Sequence, residues 1–134
     1  MESLIKLQRL VLAILEEAGE EELTTLLNTV RKRSLPVDEV EIFSRALINL
    51  IEADFVRMAS FRGPRSMRLV SLSKDGSVEL ARALKSSMEW SSANQLWHWK
   101  RDNTPSAVLT DQGQTAALNV LSEDGWPSDV FSGH

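Results

Sequence analysis

The sequence predicts an α+β fold: three helices, a strand pair and a capped helix, followed by a C-terminal strand–strand–helix unit. Three observations lead there. Apolar residues recur at helical spacing as far as Ile51, and the pattern then breaks into short runs of strand character around Gly63 and Pro64. At an offset of 37 residues, LVSLSKDGSVELARAL (Leu69–Leu84) falls on SAVLTDQGQTAALNVL (Ser106–Leu121). That alignment matches Leu72 with Leu109, Ser73 with Thr110, Gly76 with Gly113 and Leu84 with Leu121. It reads either as a repeated strand–strand–helix element or as convergence on a generic capped junction.

The first helix covers about Ser3 to Ala18, with Leu4, Leu7, Val11, Ile14, Leu15 and Ala18 on one face and Gly19 as its stop. Ile5 and Leu12 lie toward a second face, which admits two readings: a central helix packed on both sides, or a homodimer contact. A second helix is expected over Glu20–Arg31, burying Leu23, Leu26, Leu27 and Val30. Glu20, Glu21 and Glu22 would suit its positive end, and Arg31, Lys32 and Arg33 its negative end.

Pro36 disfavours helix at Leu35, and Asp38 with Glu41 forms a capping box for a third helix. Val40, Phe43, Leu47, Leu50 and Ile51 line its buried face, leaving Glu41, Ser44, Arg45, Ile48, Asn49 and Glu52 outward or on the flanks. Asp54 tolerates the left-handed turn expected at its exit. Strands follow at Phe55–Ala59 and Met67–Leu72, with Arg57 on the first and Arg62, Arg65 and Arg68 around the bend. Ser73 caps a helix to about Lys85, and SSMEWSSANQ reads as a polar connector. A second hairpin is expected to pair Leu96–Lys100 with Ala107–Leu109, and Thr110 to cap a last helix to about Leu121 before an irregular tail. Residues 1–89 thus form the core, and residues 90–134 a tryptophan-containing extension packed on it within one compact domain.

Charge is distributed unevenly. The chain of 134 residues has a net charge of -4, but residues 61–90 hold six basic and three acidic side chains. A local basic patch therefore persists within an acidic total. The chain has no cysteine, which excludes thiol chemistry and disulfides and fits a cytoplasmic protein. The apolar run at Leu10–Leu15 is too short for a membrane span or a secretion signal. His98 and His134 lack metal-ligand spacing, and no paired carboxylates, P-loop or nucleophile elbow is present. No enzyme, metal or cofactor is expected.

The run FSRALINLIEADFVRMAS, with the basic hairpin and LVSLSKDG that follow, resembles the winged-helix transcription regulators of the MarR-like kind over about Leu4 to Leu84. In that group an SRALxxL helix lies in the major groove, a short apolar exit leads into a wing, and an L-T-x-x-G motif starts the next helix. The resemblance implies a winged helix-turn-helix protein that binds double-stranded DNA and regulates transcription. It places Glu41, Ser44, Arg45, Ile48 and Asn49 toward the groove, Arg62 and Arg65 on the wing, and Leu72, Ser73 and Gly76 at the strand-to-helix junction. Arg45 can pair with guanine and Asn49 with adenine, while arginines on the loop can meet phosphates or the minor groove. The expected DNA-binding set is Ser44, Arg45, Asn49, Arg57, Arg62, Arg65 and Arg68.

The chain departs from the family pattern in Asp38, Glu39 and Glu41 at the start of the reading helix, and in its C-terminal repeat. Those departures keep open an alternative, a winged-helix-like protein-interaction or assembly module that does not bind DNA. Its partner surface would use Ile5, Leu12, Trp97 and Trp99. Trp97 and Trp99 share one face of a strand, where they would stack on bases, meet a protein partner or fill a small core.

Overall fold

The computed structural model describes residues 2–31, 39–61, 69–101 and 103–125. In chain order the elements are α1 (Glu2–Ala18), β1 (Glu20–Glu22), α2 (Leu23–Arg31), α3 (Glu39–Glu52), β2 (Val56–Phe61), β3 (Leu69–Ser71), α4 (Lys74–Arg82), α5 (Leu84–Ser87), β4 (Met88–Ser91), β5 (Leu96–Trp99), β6 (Ser106–Leu109) and α6 (Asp111–Asp124). This is a mixed α+β fold with several helices and two small antiparallel sheets. One sheet has the order β1-β6-β2-β3, and the other is the β4–β5 hairpin.

The expected helices form where apolar spacing demanded them. Leu15, Leu23, Leu26, Leu27, Phe43, Leu47 and Ile51 are all fully buried in one shared core. Each such side chain contributes about 1.5–3 kcal/mol on burial. Of the two readings for α1, packing on both sides describes Leu12: α6 runs along α1, and Leu12 is only 4% exposed. Leu12 is therefore a core residue and cannot belong to a free partner surface. Arg9 ties the same two helices through Glu123 (2.5 Å) and Asp124 (2.7 Å). These pairs lie in solvent and add little beside the buried Val120 and Leu121 of α6.

Glu20–Glu22 form β1 instead of the first turn of α2. Gly19, with φ +85°, turns the chain out of α1, and Glu20, Glu21 and Glu22 then pair with Val108, Ala107 and Ser106 of β6. These carboxylates therefore do not lie in the first turn of α2. They instead charge an edge strand, which discourages pairing with another chain.

The second hairpin is also wired differently. β5 pairs with β4 in the register Trp90↔Trp97, so part of the expected polar connector is a strand. β6 enters the first sheet between β1 and β2, with Val56 opposite Leu109 and Ala59 opposite Ser106. The helix expected from Ser73 to about Lys85 divides into α4 and α5 at Ala83. Pairings apart, both copies of the junction form: Ser73 Oγ accepts from Gly76 N (3.0 Å), and Thr110 Oγ1 accepts from Gly113 N (2.9 Å). The capping box at Asp38 and the C-terminal tail lie outside the described residues.

The matched glycines are needed for different reasons. A Cβ on Gly113 would stand 1.8 Å from the backbone oxygen of Phe55, whereas one on Gly76 would meet side-chain atoms alone, the Ser73 hydroxyl at 3.2 Å and the Leu72 Cβ at 3.6 Å. Gly113→Ala is expected to cost about 2–3 kcal/mol, because no rotamer relieves a clash with backbone. Gly76→Ala should stay within about 1 kcal/mol, with the helix preference of alanine offsetting a small shift. Urea denaturation of both variants checks the contrast, and equal losses would refute it.

Candidate functional site

The outer face of α3 is where the winged-helix resemblance would place recognition. Val40, Phe43, Ala46, Leu47, Leu50 and Ile51 are buried, so helical periodicity leaves Glu41, Arg45, Asn49 and Glu52 as an exposed strip. Arg45 and Asn49 are one turn apart on it. Ser44 and Ile48 are not on this strip: Ser44 Oγ donates to the Ala81 carbonyl of α4 (2.6 Å), and Ile48 packs against the core. Arg62, Arg65 and Arg68 lie outside the described residues.

Arg57 is committed to the exit of α3. Its guanidinium donates to the Ile51 carbonyl (3.2 Å), the Val56 carbonyl (2.9 Å) and the Asp54 carboxylate (2.9 Å). This arginine therefore satisfies a carbonyl in the last turn of a helix, where cations also oppose the dipole. Asp54 has φ +67°, the left-handed conformation expected of it, and its carboxylate also meets Lys74 Nζ (3.0 Å). Hydrogen bonds from Arg57 and then Lys74 hold that carboxyl below its ordinary range. The amino end of α6 closes the junction, with Thr110 donating from Oγ1 to the Asp54 carbonyl (2.5 Å) and from N to the Phe55 carbonyl (2.9 Å).

The start of α3 is held by a tryptophan cluster. Glu39 Oε1 accepts from Trp97 Nε1 (2.5 Å) and from Arg31 Nε (3.2 Å), and the Glu39 side chain is only 15% exposed. Arg31 also lies over the Trp90 ring, 4.6 Å from its centroid, and Trp90 meets Trp97 edge to face at 5.4 Å. Asn28 of α2 completes the cluster. It donates to the Trp97 carbonyl (3.0 Å) and accepts from the Trp97 amide (2.9 Å), reproducing both bonds of a neighbouring strand.

Trp97 and Trp99 are half-buried and packed on the core, while His98 is exposed on the opposite face. The strand alternation in WHW foretold that arrangement. Asn28 and the roles of Arg31 and Glu39 were missed, because nothing in the sequence sets a helical asparagine opposite a strand some seventy residues away. Ile5 is exposed (54%), unlike Leu12.

A shallow groove of about 400 Å³ lies beside the carboxyl end of the α3 strip, lined by Glu52, Lys74, Asp75, Val78, Glu79 and Arg82. Its mixed charges favour no single ion. Among the described residues no cluster of three or more potential metal ligands occurs, and no helix is long and apolar enough to cross a membrane. No family model, curated protein or solved structure matches the chain.

Arg57→Ala is expected to lower stability by about 1–3 kcal/mol through the lost charged hydrogen bonds, whereas Arg45→Ala should change it by less than about 0.5 kcal/mol. Urea unfolding of the two variants measures the difference. Acid should weaken the same junction. Because the folded Asp54 carboxyl titrates lower than an unfolded one, its contribution is present above the ordinary carboxylate range and is lost as pH falls through the lowered value. Asp54→Asn, which keeps a residue tolerant of positive φ, should therefore flatten the acid limb of the stability profile followed by circular dichroism.

Proposed function

We propose that the protein is a winged-helix-like, non-enzymatic regulator that binds double-stranded DNA. In this reading α3 is presented to the major groove, and Arg62, Arg65 and Arg68 of the β2–β3 connection meet the backbone or minor groove. The observation that carries it is the exposed pair Arg45 and Asn49, one helical turn apart on α3. Side chains of these two types can each make two hydrogen bonds to a purine edge. The withdrawal of Glu39 into its bonds with Arg31 and Trp97 adds support, since one of the carboxylates opposing the reading is thereby neutralised.

A second reading is a protein-interaction module on the same architecture. It is favoured by Glu41 and Glu52, which flank Arg45 and Asn49 and would meet phosphate unfavourably.

Fluorescence anisotropy with mixed-sequence duplexes, at about 50 and then 200 mM salt, separates the two. DNA binding predicts retention at low salt and a salt slope reduced by about two in an Arg62→Ala, Arg65→Ala double variant. Arg45→Ala should weaken binding to a selected site by about 5-fold to 150-fold and relax its sequence preference. No retention at low salt would eliminate the DNA reading. A protein partner that co-purifies and is lost on altering Glu41 and Glu52 would establish the second.

A further inference from the structure

We propose that the β4–β5 hairpin is a clip that fixes α3 against α2, with Trp97 and Glu39 as its positioning residues. As a device for presenting Arg45 and Asn49, the clip rests on the DNA-binding reading. Its geometry does not.

The clip spans the junction between the end of α2 and the start of α3. α2 stops at Arg31 and α3 starts at Glu39, and both residues are held by the hairpin: Arg31 on the Trp90 ring, and Glu39 on the Trp97 indole N–H. One turn earlier on α2, Asn28 grips the Trp97 backbone through both its amide and its carbonyl. Trp97 is therefore bound to α2 by its main chain and to α3 by its side chain. A rotation of α3 about its start must break the indole bond, the Arg31–Glu39 pair, or both.

The bonds have the character of a clip and not of core packing. The partners are half-buried and polar, and the Glu39 acceptor is shared by donors from two different elements. Hydrogen bonds to a charged group in such a site exceed neutral ones in strength and fix orientation. The interior apolar contacts of α3 run from Val40 in its first turn through Phe43, Leu47 and Leu50. To that packing the indole bond and the Arg31–Glu39 pair add directional constraints on the first turn.

The test uses the full chain with Trp97→Phe, Glu39→Ala and Glu39→Gln. Phenylalanine keeps an aromatic ring but has no N–H, and glutamine keeps an acceptor oxygen. Hydrogen–deuterium exchange of amides in the first turns of α3 should accelerate about tenfold in Trp97→Phe, the worth of one charge-assisted bond, and by more than that in Glu39→Ala, which also loses the Arg31 pair. Glu39→Gln, which keeps the acceptor without the charge, should exchange more slowly than Glu39→Ala, and the Trp97→Phe, Glu39→Ala double variant should exchange little faster than Glu39→Ala alone. Affinity for a selected duplex should fall by about tenfold in Trp97→Phe and at least as much in Glu39→Ala, and recover in part in Glu39→Gln, with an unchanged salt slope because phosphate contacts are not altered.

Unchanged exchange in α3 of Trp97→Phe would overturn the clip, as would acceleration spread equally over all helices. Should the unaltered protein bind no duplex, the DNA reading fails by itself, and the exchange rates still decide the clip.

Discussion

The close approach of Gly113 to the Phe55 carbonyl governs much of the architecture. Only a residue without a Cβ lets the first turn of α6 meet the exit of α3 at that distance, and the Thr110 cap then bonds the Asp54 and Phe55 carbonyls directly. α6 is thereby fixed at its amino end and runs back along α1. The strand before it, β6, falls between β1 and β2 and joins the helical half of the chain to the hairpin. One backbone contact thus ties together elements from the beginning, middle and end of the sequence.

Side chains that the winged-helix resemblance would assign to nucleic acid divide by what the backbone requires of them. Arg57 stands beside a helix end whose carbonyls need donors, and Ser44 stands beside the carbonyl of Ala81; both are used internally. Arg45 and Asn49 lie on the side of the helix opposite its packed face and are exposed. Counting cations in a sequence cannot make this distinction, because it depends on which helix ends finish nearby. The same holds for acids. Glu39 reads as an obstacle to phosphate until the strand carrying Trp97 is placed across it.

Helices α1, α2, α3 and α6 were legible from periodicity, and the caps at Ser73 and Thr110 from a hydroxyl followed three residues later by glycine. β1 was not legible: a run of three glutamates before an apolar helix satisfies the dipole rule as well as it charges a sheet edge, and only the position of β6 decides between them. Strand pairing failed for a related reason. WHW and SAVL lie close in sequence with a turn between them, which favours a local hairpin, but MEWS is equally close to WHW and offers Trp90 opposite Trp97. The aromatic pair, the cation above it and the Asn28 grip make that choice the better satisfied one. Leu12 illustrates the remaining ambiguity, since a second apolar face on a helix looks the same whether a partner subunit or the chain's own core covers it.

The C-terminal third therefore bears on α3 at both ends. Its β5 strand holds the first residue through the Trp97 indole and Glu39, and its α6 cap holds the exit through Thr110 and the carbonyl of Asp54. Between these two points the helix is held by apolar packing and by the Ser44 bond to the Ala81 carbonyl of α4. The hydrogen bonds, being directional, fix orientation where packing alone fixes position. The exposed strip from Glu41 to Glu52 takes its direction from the packed face and from these bonds together, so the outward aim of Arg45 and Asn49 depends on residues far along the sequence as well as on α3 itself.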